Sequence, residues 1–587
     1  MSYAKHISNP ETPQVEKAKE GQFKSRGGGY VFKVDDWIRL MRFLIIGNEG
    51  GTYYANERQL TFENYDTIKR CLKLDGKRTV DTIVLVSDEG RGVKNAPAVF
   101  ALAVCSVFGD EMTRSYANKS MPKVARFSTD LFTWADNVIQ LKNGKKGKGL
   151  LRALGRWYTN KDIVSLAYQI CKYPSRSIGN QRWSHADLLR LCRISSPREG
   201  GRPARGGKAL TLPSADYGIL FKYAVHGVTT PEEITARITE NLKTGKKQKS
   251  VGLLLNELEN LKDSKMKYVW AHEKAKKSTS VKEIVDLITK HGLVRESISP
   301  DFRNKPEVQK ALLPRMPMGA LIRNLGSITA SGVLKPLSEE TTIVIEKITN
   351  EKNLKKARIH PINVLMALKV YSKGQGHRTS WKPVSAIKDA LEEAFYKAFN
   401  YVEPTGKRFL LGIDVSGSMT SSNWGAWSYD KRSDREPDLT PREAAAVVAM
   451  TIARTEKNYE MMAFSGGFIP LNITAKDSLE TVIRKTSHLP FNNTDCSLPM
   501  RYAIKNKLNV DAFVVLTDNE TNSGQMHPFE ALKKYRNGFV MDAKLAVLAF
   551  TATDCSIADP SDAGMLDMVG LDSNVPKILS EFVGGKV

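Results

Sequence analysis

Near residue 401 the spacing of apolar residues changes, and no single fold class accommodates both sides of that change. Before it, apolar side chains recur every three or four positions. In DDWIRLMRFLIIG, Trp37, Leu40, Met41, Leu44 and Ile45 fall on one helical face. The segments 95–107, 150–172, 184–194, 231–243, 251–262, 281–293, 306–326 and 361–371 read alike. Thr230-Pro231-Glu232-Glu233 places a cap, a first-turn proline and an N3 acid in order. Alternating strand patterns are nearly absent before residue 400. An all-helical region of some 350 residues predicts stacked helix pairs rather than one bundle, although no fixed-period repeat is visible. After residue 401, apolar runs at 408–413, 459–464, 511–517 and 544–551 alternate with helical patterns. One of these, 441–457, opens with Thr440 as cap, Pro441 at N1 and Glu443 at N3. Such alternation predicts an α/β unit with a mostly parallel sheet covered on both faces, which binds ligands at the carboxyl ends of its strands. Residues 1–30 are polar and end in KSRGGGY, which predicts a flexible basic arm. The expected units are therefore 1–30, 31–400 and 401–587.

Charge separates the same regions. The 587 residues carry 88 Lys+Arg against 63 Asp+Glu, a net of +25. From residue 401 onward 20 basic residues face 23 acidic ones, so residues 1–400 hold 68 against 40, a net of +28. A field of that sign favours a polyanion, most simply nucleic acid. No apolar run is long enough to span a bilayer, and the polar start lacks the apolar core of a secretory signal. The six cysteines are scattered without a CxxC pair. That argues against a disulfide framework or structural zinc, and fits a cytoplasmic setting.

The first strand of the α/β unit ends in 409-FLLGIDVSGSMTSS-422. Asp414, Ser416 and Ser418 form a D-x-S-x-S arrangement. Thr494 in FNNTDCS and Asp518 in LTDNET lie at later strand-end or loop positions. Two carboxylates and three hydroxyls, without sulfur or imidazole, make a hard-cation set suited to Mg²⁺. The bland alternative is a Ser/Asp capping loop that holds no metal. Catalysis is poorly served, because there is no DxD nucleophile arrangement, no phosphate-cradling Gly-x-x-x-x-Gly-Lys loop and no nearby general base beyond Asp495.

Three basic stretches lie within some 70 residues of one another. The loop 142-KNGKKGKG-149 carries Lys142, Lys145, Lys146 and Lys148, and feeds a helix with Arg152 and Arg156 on one face. In 171-CKYPSRSIGNQRWSHADLLRLCR-193, Ser184 and Asp187 form a capping-box-like pair. The helix start there, with His185, Lys172, Arg176 and Arg182, is a candidate phosphate holder, and Arg190 and Arg193 follow one turn apart. The third stretch, 197-PREGGRPARGGK-208, reads as a basic loop that orders on RNA. The alternative for each is a solvated surface. His360, before Pro361, reads as part of a helix start. Trp157, Trp183 and Trp381 read as core rather than stacking platforms.

Two resemblances add to this. The five oxygen-bearing residues, with their strand order, are similar to the metal-ion-dependent adhesion site of von Willebrand factor A domains. The segments 51-GTYYANERQLTFEN-64, 183-WSHADLLRL-191, 318-MGALIRNLGSITASGVL-334, 356-KARIHPINVLMAL-368, 494-TDCSLPM-500 and 559-DPSDAGMLDM-568 resemble the Ro autoantigen, or TROVE-domain, proteins. That resemblance implies a ring of HEAT-like helical repeats closed by a von Willebrand A domain. It implies a non-catalytic RNA-binding protein, a monomer within its ribonucleoprotein. The implied partners are small noncoding Y RNAs on a basic outer surface, and misfolded or structured RNAs whose single-stranded 3′ ends enter the central hole. It further implies a link to a 3′ exoribonuclease, polynucleotide phosphorylase, in bacterial members. His185 and Arg190, with Lys172 and Arg176, carry over to the RNA surface. The 197–208 insertion, the long 420–438 loop and the GSM after Ser416 point to a bacterial or phage-encoded member.

Three readings follow. The first is an RNA-binding scaffold acting in noncoding-RNA stability, quality control and stress survival. The second is a metal-dependent protein-adhesion scaffold with secondary RNA binding. The third is a Mg²⁺-dependent RNA hydrolase, which rests only on carboxylates near RNA.

Overall fold

The computed structural model describes residues 11–47, 57–178, 181–192, 212–230, 232–236, 239, 252–376, 379–399, 404–419, 440–487, 489, 493–551 and 553–585. The insertion 197–208, Arg193 and the 420–438 loop lie outside the described residues.

The helical region begins with α1 (Asp36–Ile46), α2 (Glu57–Leu74), α3 (Gly76–Glu89), α4 (Ala96–Phe108), α5 (Glu111–Val124), α6 (Ser128–Leu141), α7 (Lys148–Thr159), α8 (Ile163–Lys172) and α9 (His185–Cys192). Their starts are built locally. The side chains of Asp35, Asp75, Asp110 and Asp162 accept from first-turn amides of α1, α3, α5 and α8. Asp162 also explains why the segment 150–172 is two helices, since it caps the second at Ser165 N, 3.0 Å away. Likewise 306–326 splits into Pro306–Leu312 and Met318–Ala330, with Pro314 and Pro317 between them. The region closes with Glu339–Thr349, Glu351–Ala357, α10 (Pro361–Lys373) and α11 (Ser385–Lys397).

The two ends of this helical run meet. Arg358, in the left-handed conformation that ends Glu351–Ala357, pairs with Asp88 at 2.6 Å. Asn363 Nδ2 donates to the Val93 carbonyl at 3.2 Å. The chain therefore returns on itself.

The α/β unit sits at that junction. Its sheet has the order β11-β9-β8-β5-β6-β7, with β5 (Arg408–Asp414), β6 (Asn458–Phe464), β7 (Phe468–Pro470), β8 (Ala512–Thr517), β9 (Lys544–Ala549) and β11 (Met565–Val569). All neighbours are parallel except the β6–β7 edge pair. Alternate residues face opposite cores. Leu411, Ile413, Val514 and Leu516 join a core shared with the helical region and with α12 (Pro441–Thr455). Leu410, Phe464, Phe513 and Val515 join a second core with Met500 and Tyr535. Thr440 and Glu443 cap α12 reciprocally at 2.8 and 3.1 Å, as expected.

Both ends of the helical run contact this unit. Arg42 of α1 is fully buried and binds both oxygens of Asp567 at 2.6 Å, with the Thr553 and Cys555 carbonyls at 2.9 and 2.8 Å. From α10, Lys369 pairs with Glu443 at 2.9 Å. His360 caps α10 through Ile362 N, as expected of a helix start, and its Nε2 lies 2.8 Å from the Leu571 carbonyl.

Residues 11–30 are not a free arm. β1 (Gln22–Lys24) and β2 (Tyr30–Lys33) form a hairpin that pairs with β10 (Cys555–Ser556) of the α/β unit. The Gln14 side chain is buried and donates to Asp495 at 2.7 Å and to the Met526 carbonyl at 2.9 Å. Buried amide donors and acceptors fix the segment more firmly than its polar composition suggests. A second hairpin, β3 (Ser175–Ile178) with β4 (Gln181–Ser184), interrupts the helical run where no strand was expected.

Candidate metal and nucleic-acid sites

The carboxyl end of β5 leads into a short 3₁₀ turn, Gly417–Met419, that places Ser416 and Ser418 together with hydroxyls 3.1 Å apart. Asp414, Ser416, Ser418, Thr494 and Asp518 are all buried. Asp414 accepts from Ser416 N at 2.9 Å and from the Thr517 hydroxyl at 2.6 Å. Asp518 accepts from Glu520 N at 3.0 Å. The next residue, Asn519, has a φ of 67°, a left-handed conformation that asparagine tolerates better than most side chains. Thr494 is tied to the same loop. Its amide donates to Asn522 Oδ1 at 2.7 Å, and its carbonyl accepts from the Thr521 hydroxyl at 3.1 Å.

Burial pushes the Asp414 carboxyl up to about 6, against the opposing hydrogen bonds of Ser416 and Thr517. Burial and then the Asp414 charge push Asp518 well above its ordinary value. Two carboxyl groups in one dry pocket oppose each other's ionisation, which a proton held by one of them or a shared cation relieves. Cys496 packs beside them, and burial together with the nearby Asp414, Asp495 and Asp518 keeps it a thiol rather than a thiolate. Among the described residues no cluster of three or more His, Cys, Asp or Glu side chains gathers. Hydroxyls make up the remainder of this five-oxygen set, which suits Mg²⁺ better than a softer metal.

The basic residues separate into two groups. Lys142 follows the end of α6, Lys145 and Lys146 are exposed in the loop, and Lys148, Arg152 and Arg156 are exposed along α7. Lys142, Lys148, Arg152 and Arg156 line one cavity of about 370 Å³. Arg114 and Lys119 of α5, which no pattern in the sequence singled out, line it from the other side. Lys172 belongs elsewhere. It donates to the Tyr168 hydroxyl at 3.0 Å, lies over the Tyr168 and Tyr173 rings, and lines a cleft with Arg295 and Arg315. Arg176 and Arg182 are exposed on the β3–β4 hairpin, donating to the Thr129 carbonyl and the Ser175 hydroxyl. Arg190 is exposed on α9, and Arg193 lies outside the described residues.

His185 requires a correction. Its ring is buried against Phe132 and Tyr158, with Nδ1 2.7 Å from the Tyr158 hydroxyl. Burial lowers its pKa to about 3, so it is neutral at physiological pH and offers no charge to a phosphate. The helix start beside it is also taken, because Ser184 and Asp187 cap each other at 2.9 and 3.3 Å. Trp157 and Trp183 are core, as expected, and Trp381 is half-buried against the core. Trp157 donates to the Ala125 carbonyl at 2.7 Å, Trp183 to Asp136 at 2.8 Å and Trp381 to the Tyr371 carbonyl at 3.0 Å.

Comparison with known proteins now bears on both sites. Residues 24–371 match the TROVE domain family, and residues 408–583 match the Ro60 vWA domain family. The RNA-binding protein RO60 of Caenorhabditis elegans is 35% identical, covering 98% of this chain and 92% of that protein. The RNA-binding protein RO60 of Deinococcus radiodurans is 33% identical, covering 98% of each chain. The crystal structure of the Deinococcus radiodurans Ro (RSR) protein superposes with a TM-score of 0.63 at 33% identity, covering 94% of this chain and all of that one. The chain belongs to the Ro family. The fold class expected from the sequence, a helical region joined to a von Willebrand A domain with a mostly parallel sheet, is the fold of this Ro family member. The N-terminal strap over the Thr494 and Asp518 loops was missed, because it is polar and is fixed by buried side-chain hydrogen bonds such as those of Gln14.

Proposed function

We propose that this Ro family member is an RNA-binding ribonucleoprotein component. The observation that carries this is the cationic group around α7, displayed in a chain whose relatives are named RNA-binding proteins. Phosphates would be held by Lys142, Lys145, Lys146, Lys148, Arg152 and Arg156, with Lys172, Arg176, Arg182 and Arg190 extending the surface. The RNA classes proposed are noncoding Y RNAs and the single-stranded 3′ ends of misfolded or structured RNAs. The proposed roles are noncoding-RNA stability, quality control and stress response in the cytoplasm, with a tether to a 3′ exoribonuclease such as polynucleotide phosphorylase. The protein itself performs no catalysis in this reading. Asp414, Ser416, Ser418, Thr494 and Asp518 would hold Mg²⁺, which supplies an electrophilic position for an oxygen of a docking partner.

The test is the salt dependence of binding to a structured RNA, followed by fluorescence anisotropy. Phosphate contacts predict that log K falls linearly with log salt, losing roughly three to five decades between 50 and 200 mM for six to ten contacts. Affinity that does not change with salt would overturn the proposal. Crosslinking in cells with sequencing of the bound RNA would name the ligand.

A second reading, a metal-dependent adhesion scaffold, is favoured by the completeness of the buried oxygen set. It is compatible with the first, since the two sites lie on separate domains.

A further inference from the structure

The cavity between α5 and α7 differs from an ordinary basic surface in three ways. First, it is concave. Its volume of about 370 Å³ falls in the range of small-molecule pockets rather than of a flat track for a running backbone. Second, its charge is concentrated and unneutralised. Six cationic side chains (Arg114, Lys119, Lys142, Lys148, Arg152 and Arg156) face one carboxylate, Glu111. None of the six forms an ion pair among the described residues. Lys148, Arg152 and Arg156 stand at i, i+4 and i+8 on one helix face. Like charges at that spacing destabilise a helix, so the stripe is not there for the stability of α7.

Third, hydrogen-bond donors converge on the first turn of α7. Its N-cap is Gly147, which offers no side chain to the first-turn amides. A Cβ at Gly147 would sit 3.2 Å from Lys142 Nζ, and one at Gly149 would sit 3.3 Å from Asn118 Nδ2. The two glycines thus leave room for an ammonium and an amide donor directly over the helix start.

We propose that this cavity is a receptor for a terminal phosphate group, a phosphate monoester or polyphosphate. Such a group is carried by the end of an RNA or by a free nucleotide. A bridging phosphodiester brings one negative charge, whereas a terminal monoester brings nearly two and a triphosphate more. The latter better match the charge gathered in one concave site. The helix dipole at Gly147 and the forked guanidinium groups of Arg152 and Arg156 suit the same ligand. For the RNA-borne source the proposal rests on the RNA-binding reading given above.

The experiment uses the full chain in two arms. In the first, inorganic tripolyphosphate and orthophosphate are titrated calorimetrically into the wild type and into R152Q/R156Q, with K148Q as a second variant. All three are first shown to melt alike. Wild type is expected to bind tripolyphosphate at least about tenfold more tightly than orthophosphate, and each lost cation is expected to weaken it by about tenfold. In the second arm, one RNA sequence is compared with a 5′-triphosphate, a 3′-phosphate or hydroxyl ends only. A preference for one phosphorylated end that disappears in R152Q/R156Q identifies an RNA end as the occupant. Tripolyphosphate binding with no end preference identifies a free nucleotide or polyphosphate. Absence of tripolyphosphate binding, or binding unaffected by both variants, overturns the proposal. If hydroxyl-ended RNA still binds with a steep salt dependence in that case, the RNA-binding reading survives it. If no RNA binds at all, that reading fails while the first arm still decides the pocket.

Discussion

In the helical region, the cations around α7 stand in water on long flexible stems. In the α/β domain, the oxygens of Asp414, Ser416, Ser418, Thr494 and Asp518 are buried and tied to one another or to neighbouring amides. An anion held at the first site would be gripped by several cations on mobile stems, so binding there would weaken stepwise with each cation lost. A cation at the second would depend on a few oxygens held at fixed places beside a rigid sheet, so the loss of one carboxylate there would cost more. The junction between the domains follows the second logic. There the Arg42–Asp567 pair is buried and satisfied on nearly every side, while burial still pushes the Asp567 carboxyl upward against the Arg42 charge.

The sharpest break of this contrast is at that junction. Arg42→Ala leaves Asp567 buried without its partner and is expected to cost about 3–5 kcal/mol in chemical denaturation. The double variant Arg42→Met/Asp567→Leu removes both charges and is expected to recover much of that loss. Equal stability of wild type and Arg42→Ala would show that the buried pair does not hold the domains. A surface control on the basic face, Arg190→Ala, is expected to stay within about 0.5 kcal/mol of wild type.

The next effect in size separates the two sites by ligand. Asp518→Ala removes one of two carboxylates from the oxygen set and is expected to weaken Mg²⁺ or Mn²⁺ binding by at least about a hundredfold. Affinity for a structured RNA is expected to change less than about twofold, because no cation near α7 is touched. Calorimetric titration of the metal and anisotropy of the RNA read the two numbers on the same preparation. A parallel loss of both affinities would join the sites into one and sink the contrast.

These differences also explain what could be read before folding. The nearness of Asp414 and Asp518 was legible because β5 and β8 are adjacent parallel strands, whose carboxyl ends topology brings together. The tryptophans and the caps at Thr440 and His360 were legible because their partners lie close in sequence or in any core. The basic face was only half legible. Lys148, Arg152 and Arg156 share a helix, but Arg114 and Lys119 arrive from another helix whose packing no local pattern announces. His185 was misread because its helical position does not tell which way its ring faces, and packing turned it toward Phe132 and Tyr158. The β3–β4 hairpin had a signal in Gly179-Asn180, a dipeptide common in two-residue turns, which the helical surroundings masked. Polar composition hid the strap at residues 11–30, because its order comes from hydrogen bonds to the α/β domain rather than from its own apolar face.

The smallest effect concerns His360, where the two domains meet. Its Nε2 donates to the Leu571 carbonyl at 2.8 Å, and its Nδ1 accepts from Ile362 N at 3.2 Å. Both nitrogens are therefore satisfied only in the neutral ring. Burial lowers its pKa to about 4, and the nearby Asp572 charge only partly offsets that. Arg91, which pairs with Asp572, stands beside the same contact. The folded-state value lies below the ordinary value of about 6.5. The unfolded chain thus binds the extra proton first as pH falls, and stability drops from pH 6.5 toward pH 4. By pH 5 this one residue is expected to cost about 1–2 kcal/mol relative to pH 7.5. His360→Asn keeps a capping side chain but cannot titrate, so its stability is expected to fall less over the same interval. Denaturation midpoints at pH 7.5 and 5.0 for both proteins give the comparison. An identical acid loss in the variant would move the pH sensitivity away from the domain junction and into the helical region, where His185 and His272 are buried with pKa values lowered to about 3 and about 4.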